Sequence, residues 1–256
     1  MSHGQSADAP GQRRVNTYEL RGRVVLVPGG LGGLGTGVSL EFARAGAEVV
    51  IAGSHERPSE LAALCAALGP RGDALTNLAF NAQDEASVEA LIQEVVARHG
   101  HLDILINAIG GFAAGQPVTA LDLATWEHMI NLNLRTAFLL AKHAARPMVQ
   151  QDWGRILHVS SRAARSGRRN AAAYAVAKNA VLSLTEIQAE ELRDTGVTVN
   201  AILPSIIDTP SNRASMPNAD TSRWPTPDEV ARVLLFLASD DAGLISGASI
   251  PVYGRA

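Results

Sequence analysis

The chain has 256 residues, of which 46% are hydrophobic and 18% charged, a balance that excludes a disordered or fibrous protein. Its 22 basic and 25 acidic residues leave a formal net charge of −3, so no general basic field points to nucleic acid. A single cysteine, Cys65, excludes an internal disulfide and a cysteine-rich metal site, and fits a reducing cytoplasm.

Residues 1–16 are polar, lack the apolar core of a signal peptide, and read as a flexible tail. One domain is expected over residues 17–256, carrying cofactor and active site together. The first apolar run, Val24–Val27, leads into VPGGLGGLGTG. There the absence of Cβ atoms lets backbone N–H groups approach a pyrophosphate at the next helix's N-terminus. Two registers fit: Gly30, Gly32 and Gly35 as G-x-G-x-x-G, or Gly29, Gly33 and Gly35 as G-x-x-x-G-x-G. Val24–Leu40 is uncharged, yet Pro28 and six glycines interrupt it, so no membrane helix is expected.

The second run, Val49–Ala52, ends in Gly53-Ser54-His55-Glu56-Arg57. An NAD site usually has a carboxylate at that strand end to hold the ribose 2′-hydroxyl. Here Ser54, His55 and Arg57 suit a 2′-phosphate instead, which favours NADP over NAD; a plain polar turn reads almost equally well. Leu75–Phe80 is the third run, followed by Asn81 and an amphipathic helix over Glu85–Arg98. Ile104–Ile109 is the fourth run and a long helix spans Trp126–Val149.

After the fifth run, Arg155–Val159, comes SSRAARSGRRNAAAYAVAK. Tyr174 and Lys178 stand four apart, so a helix over Ala172–Arg193 puts them on one face. An ammonium beside a phenol stabilises the phenolate, and a phenol so tuned can exchange a proton with a substrate oxygen. Of the 22 basic residues 20 are Arg, so a Lys at 178 reads as a chosen point charge. Arg162, Arg165, Arg168 and Arg169 lie between Ser161 and Tyr174, where guanidinium groups suit an anionic substrate or acyl carrier; a solvated loop is the bland alternative. Val197–Leu203 and Ala248–Val252 complete the strands, and Ser211–Trp224 reads as a substrate lid. Strands alternating with helices predict an α/β fold: a Rossmann-like doubly wound parallel sheet of about seven strands. The seven histidines show no His-Glu-x-x-His spacing, so no metal site is expected, and His158 reads as a packed strand residue. Ser161 lacks the G-x-S-x-G elbow of hydrolases.

From Arg21 to Tyr253 the sequence resembles the short-chain dehydrogenase/reductase family, in its short single-domain branch and its 3-oxoacyl-carrier-protein reductase-like members. The glycine loop matches in the Gly29, Gly33, Gly35 register, and Asn133, Ser161, Tyr174 and Lys178 fall at the family's spacing. The resemblance implies a ketone reductase or alcohol dehydrogenase using NADP or NAD. Tyr174 is then the general acid, and Lys178 tunes Tyr174 and binds the nicotinamide ribose. Ser161 orients the substrate oxygen, and Asn133 holds a water that links Lys178 to solvent. It also implies cofactor contacts from Gly29, Gly33, Leu34, Gly35, Ser54, Arg57, Asn81, Asn107, Gly110, Pro204, Ile207 and Thr209, and a homodimer or homotetramer. Four departures stand out: Pro28 for Thr, Asn81-Ala82 for Asp-Val, Asn107-Ala108-Ile109-Gly110 for Asn-Asn-Ala-Gly, and Ser205 for Gly. A non-enzymatic NAD(P)-binding regulator on the same fold is the alternative, opposed by the four retained catalytic residues.

Overall fold

Seven runs rich in Val, Ile and Leu form one parallel sheet in a computed structural model that describes residues 18–255. The tail expected over residues 1–16 lies outside the described residues. The strands are β1 (Val24–Pro28), β2 (Glu48–Gly53), β3 (Leu75–Ala79), β4 (Ile104–Asn107), β5 (Gly154–Val159), β6 (Val197–Pro204) and β7 (Ser249–Val252). Their order across the sheet is β3-β2-β1-β4-β5-β6-β7, and every pairing is parallel. A parallel pair needs a crossover, and helices supply it. They are α1 (Gly35–Arg44), α2 (Pro58–Leu68), α3 (Glu85–His99), α4 (Leu123–Ile130), α5 (Thr136–Gln150), α6 (Ala163–Ser166), α7 (Ala172–Glu191), α8 (Pro210–Ser215) and α9 (Pro227–Ala238).

Alternate strand residues feed two cores, because successive side chains point to opposite faces. Val25, Val27, Val49, Ile51, Ile104 and Ile106 pack with Val38 and Phe42 of α1 and Leu234 of α9. Val24, Leu26, Val50 and Leu105 pack on the other face with Val88 of α3 and Leu140 of α5. Burial on both faces explains why the runs carry almost no polar alternation. Strand order reverses between β1 and β4, and that switch opens a crevice beyond their carboxyl ends.

Most elements differ from expectation by a residue or two at their ends, and two of the shifts have a clear local cause. The fourth run ends at Asn107 rather than Ile109, because the Asn107 carboxamide accepts the Ile109 N–H (3.1 Å) and turns the chain. The helix expected over Trp126–Val149 starts at Leu123 and contains one π turn, Asn131–Arg135, between α4 and α5. Such wide turns release backbone carbonyls, which side chains must satisfy. Asn133 does so at one of them.

Candidate active site

Ser161 follows β5, and α7 starts eleven residues later, so Tyr174 and Lys178 lie in its first two turns over the strand ends. The intervening strand end locks Lys178 in place. Its Nζ donates to the Val159 carbonyl (2.8 Å), while Ser160 Oγ donates to the Lys178 carbonyl (2.7 Å). Ser161 and Tyr174 share a side-chain hydrogen bond. Asn133 is fully buried in the π turn. Its Nδ2 donates to the carbonyls of Met129 (3.0 Å) and Gly111 (3.2 Å), and its Oδ1 accepts the Gly111 N–H (3.2 Å). Gly110 joins the pieces: a Cβ there would lie 3.0 Å from both Asn133 Oδ1 and Lys178 Nζ. A side chain at that position would separate the two polar heads.

Burial sets the electrostatics. Lys178 is 5% exposed, and desolvation lowers its pKa from 10.5 to about 8. Desolvation raises Tyr174, against the hydrogen bond from Ser161 and the charge of Arg168, both of which favour the phenolate. Arg168 thus adds its charge at a group for which the sequence reading names Lys178 alone. His158 sits on β5 with no exposure, and burial depresses it to about 4, so it stays neutral. It faces Gln188 (Nε2 to Oε1, 3.3 Å), as a packed strand residue rather than a base of the cleft.

The glycine turn lies one strand away, between β1 and α1. Gly29 takes φ +82°, which favours glycine, and a Cβ there would lie 2.9 Å from the Ala108 carbonyl carbon. The turn therefore packs directly on the loop after β4. Gly32 and Gly33 are exposed, and no side chain caps the N-terminus of α1 at Leu34. A Cβ on Gly33 would lie 2.9 Å from Thr209 Cγ2, so the loop after β6 faces this turn across a narrow gap. Bare backbone donors at an uncapped helix start, walled by Thr209, fit a dinucleotide pyrophosphate. Of the two registers, Gly29 and Gly33 are the ones that meet the neighbouring loops.

The remaining expected contacts surround the same crevice. Arg57 Nη1 donates to the Leu31 carbonyl (3.3 Å), which sets the guanidinium beside the glycine turn, and its Nη2 pairs with Glu60 (2.5 Å). Ser54 Oγ meets His55 Nδ1 (3.0 Å) at the exposed end of β2. Asn81 is exposed and its Oδ1 accepts the Gln83 N–H (3.0 Å), leaving one carbonyl lone pair for a ligand. Pro204 ends β6, and Ile207 and Thr209 follow it. Thr209 caps α8 by accepting the Asn212 N–H (3.2 Å).

The departures from the family pattern are locally accommodated. Pro28 occupies the last position of β1 and still accepts the Ala108 N–H (3.0 Å), so only a donor is lost. Ser205 Oγ donates to the Tyr253 carbonyl (2.7 Å), tying the loop after β6 to the end of the chain.

Phe112 is the residue sequence reasoning passed over. It is 52% exposed and meets Tyr174 edge to face, with ring centroids 5.0 Å apart. The Arg168 guanidinium lies over the other side of this contact, 4.9 Å from the Phe112 centroid. The available signal was an aromatic directly after Gly110-Gly111, in a chain with only 4% aromatic residues.

Known proteins share this sequence and fold over most of the chain. A family model described as "Enoyl-(Acyl carrier protein) reductase" matches residues 29–254. D-threitol dehydrogenase of Mycolicibacterium smegmatis is 32% identical, over 93% of this chain and 94% of its own. Acetoacetyl-CoA reductase of Allochromatium vinosum is also 32% identical, over 91% and 97%. Among solved structures, a short-chain type dehydrogenase/reductase from Mycobacterium ulcerans superposes with a TM-score of 0.86 at 33% identity, covering 93% and 90%. A structure titled "ElxO with NADP Bound" superposes at 0.85 with 27% identity, covering 91% and 97%. The match over nearly the whole chain and the sheet order lead to one assignment. The chain belongs to the short-chain dehydrogenase/reductase family of NAD(P)-dependent oxidoreductases acting on CH–OH groups.

Proposed function

We propose that this protein interconverts a ketone and a secondary alcohol, with NADP(H) as the preferred cofactor and with residues 17–256 as one domain. The observation that supports the reading is a double pairing beyond the strand ends: Ser161 with Tyr174 through a hydrogen bond, and Lys178 with Asn133 on either side of Gly110. When bound, the nicotinamide supplies or accepts the hydride at the carbonyl carbon. In reduction, Tyr174 Oη gives its proton to the carbonyl oxygen. Ser161 Oγ donates a hydrogen bond to that oxygen and steadies its developing charge. Lys178, protonated below about pH 8, stabilises the phenolate left behind and donates to the cofactor ribose. Asn133 Oδ1 keeps its second lone pair for a water on the path from Lys178 to solvent.

Gly29, Gly33, Leu34 and Gly35 line the pyrophosphate cradle, with Asn81 at the adenine end and Asn107, Gly110, Pro204, Ile207 and Thr209 along the nicotinamide side. Arg57, beside the glycine turn, and Ser54 support the NADP preference, as does the neighbour whose title records bound NADP. The test follows NADPH and NADH oxidation side by side against neutral ketones, oxo acids and 3-oxoacyl thioesters. Ketone-dependent oxidation is expected, faster with NADPH. Arg57→Ala should raise KM for NADPH about tenfold, one charged hydrogen bond's worth, and spare NADH. Equal losses with both cofactors would contradict the 2′-phosphate role, and no ketone turnover would contradict the reading itself.

We also place the protein in a reducing cytoplasm, as a homodimer or homotetramer. Cys65 is a free thiol, and no described helix is long and apolar enough to cross a membrane. Exposed Phe138 and Val149 on α5 and Val176 and Ile187 on α7 supply apolar surface for contacts between copies. A monomeric mass by light scattering, or recovery with another cell fraction, would contradict this placement.

A further inference from the structure

The loop between Ser161 and Tyr174 carries four arginines and no carboxylate. Nine other described arginines, Arg23 and Arg213 among them, pair with a carboxylate. Among the described residues, no carboxylate pairs with Arg168. Its contact is instead aromatic: the guanidinium lies 4.9 Å from the Phe112 centroid, and Phe112 in turn meets Tyr174 at 5.0 Å. Phe112 is itself on a firm base, since the preceding Gly111 exchanges two hydrogen bonds with the buried Asn133 side chain. A ring holds the cation while leaving its planar fork of N–H donors unspent. Those donors match an oxyanion, and the exposed face of Phe112 supplies an apolar wall between it and the proton-donating phenol.

We infer that Arg168, seated on Phe112, is the specificity residue for a ketone that carries an oxyanion, a carboxylate in the first instance, across a short apolar spacer. This rests on the carbonyl-reductase reading above and adds the substrate class to it. The charge of Arg168 also favours the Tyr174 phenolate, so the cation is near enough to act at the reacting group. Arg162 lies over Tyr253 (5.2 Å) on another side of the loop and is assigned no part in the contact.

The test uses oxo acids of increasing spacing between ketone and carboxylate, each paired with its neutral methyl ester. Affinities come from calorimetry on the NADP-loaded Tyr174→Phe protein, and kcat/KM from the wild-type chain. At the best spacing the acid should exceed its ester by about tenfold in both readouts, one charged hydrogen bond's worth. Arg168→Met, which keeps an apolar contact with Phe112, should abolish that preference, the acid losing about tenfold more than its ester in both readouts. Arg168→Lys should recover only part of it, since a point charge lacks the fork. Arg169→Met removes the same net charge one residue away and should leave most of the preference. A matching ester of a phosphate-bearing ketone separates the two oxyanion sources: preference for phosphate alone would overturn the carboxylate assignment. No acid bound better than its ester at any spacing, or equal losses for acid and ester in Arg168→Met, would overturn the inference outright. Turnover of neither partner, with the binding preference intact, would instead overturn the reductase reading and leave the anion subsite standing.

Discussion

Burying an ammonium is costly, and Lys178 bears that cost on α7 against the end of β5. Its pKa of about 8, against 10.5 when solvated, corresponds to about 3 kcal/mol of destabilisation. The sign follows from which state holds the proton. Below about pH 8 both folded and unfolded chains are protonated, and the full penalty applies. Between about 8 and 10.5 the unfolded chain holds more protons, so stability contributed at this site rises with pH. Replacing the ammonium by a thioether removes the penalty but leaves the Val159 carbonyl without its donor, a loss of about 1 kcal/mol or more. Lys178→Met should therefore be more stable than wild type at pH 7 by up to about 2 kcal/mol, with the gap closing toward pH 10. Its turnover should nevertheless collapse. Denaturant unfolding at several pH values measures the gap, and a destabilised variant at pH 7 with no pH trend would contradict this picture. The four-residue spacing to Tyr174 marked this residue for the chemistry proposed above. It could not show the burial of Lys178 against the end of β5 and Gly110, or the charge of Arg168, because these come from separate segments of the chain.

At the scale of elements, the π turn between α4 and α5 does what a regular helix could not. It brings Asn133 inward so that one carboxamide satisfies the Met129 carbonyl and clamps the Gly111 backbone on both its N–H and its C=O. The loop that carries Gly110 and Phe112 is thereby fixed to the helix. Asn133→Ala should cost about 2–3 kcal/mol in denaturant unfolding, since one buried and two part-buried backbone groups lose their bonds together. A loss below about 0.5 kcal/mol would contradict the clamp. Apolar periodicity alone foretold a helix over Trp126–Val149. It had no means to foretell the wide turn, because one extra residue barely disturbs a helical pattern. The early end of β4 was hidden for a related reason: Ile109 is apolar enough to extend the run, and only the Asn107 carboxamide turns the chain away. By contrast, the strands buried on both faces announced themselves, since a continuous Val, Ile and Leu run has few other uses.

For the whole molecule, seven parallel strands with a switch between β1 and β4 put the glycine turn, the loop after β4, the end of β5 and the start of α7 around one crevice. Residues 29, 110, 161 and 174 are far apart in sequence and adjacent here because each follows a strand's carboxyl end or opens the next helix. That is why candidate site residues, Arg168 and Thr209 among them, could be named from spacing and resemblance, while Phe112 and the contacts of the outer wall could not. Phe112, Arg168 and Thr209 come from three different loops, whose approach depends on packing rather than periodicity. The central claim is that this crevice passes a proton from Tyr174 to a carbonyl oxygen. It is tested most directly by comparing wild type and Tyr174→Phe with the best ketone and NADPH, while cofactor affinity is measured in parallel. The account predicts a fall in kcat of about a hundredfold or more with NADPH binding unchanged. Retained turnover in the phenylalanine variant would contradict it.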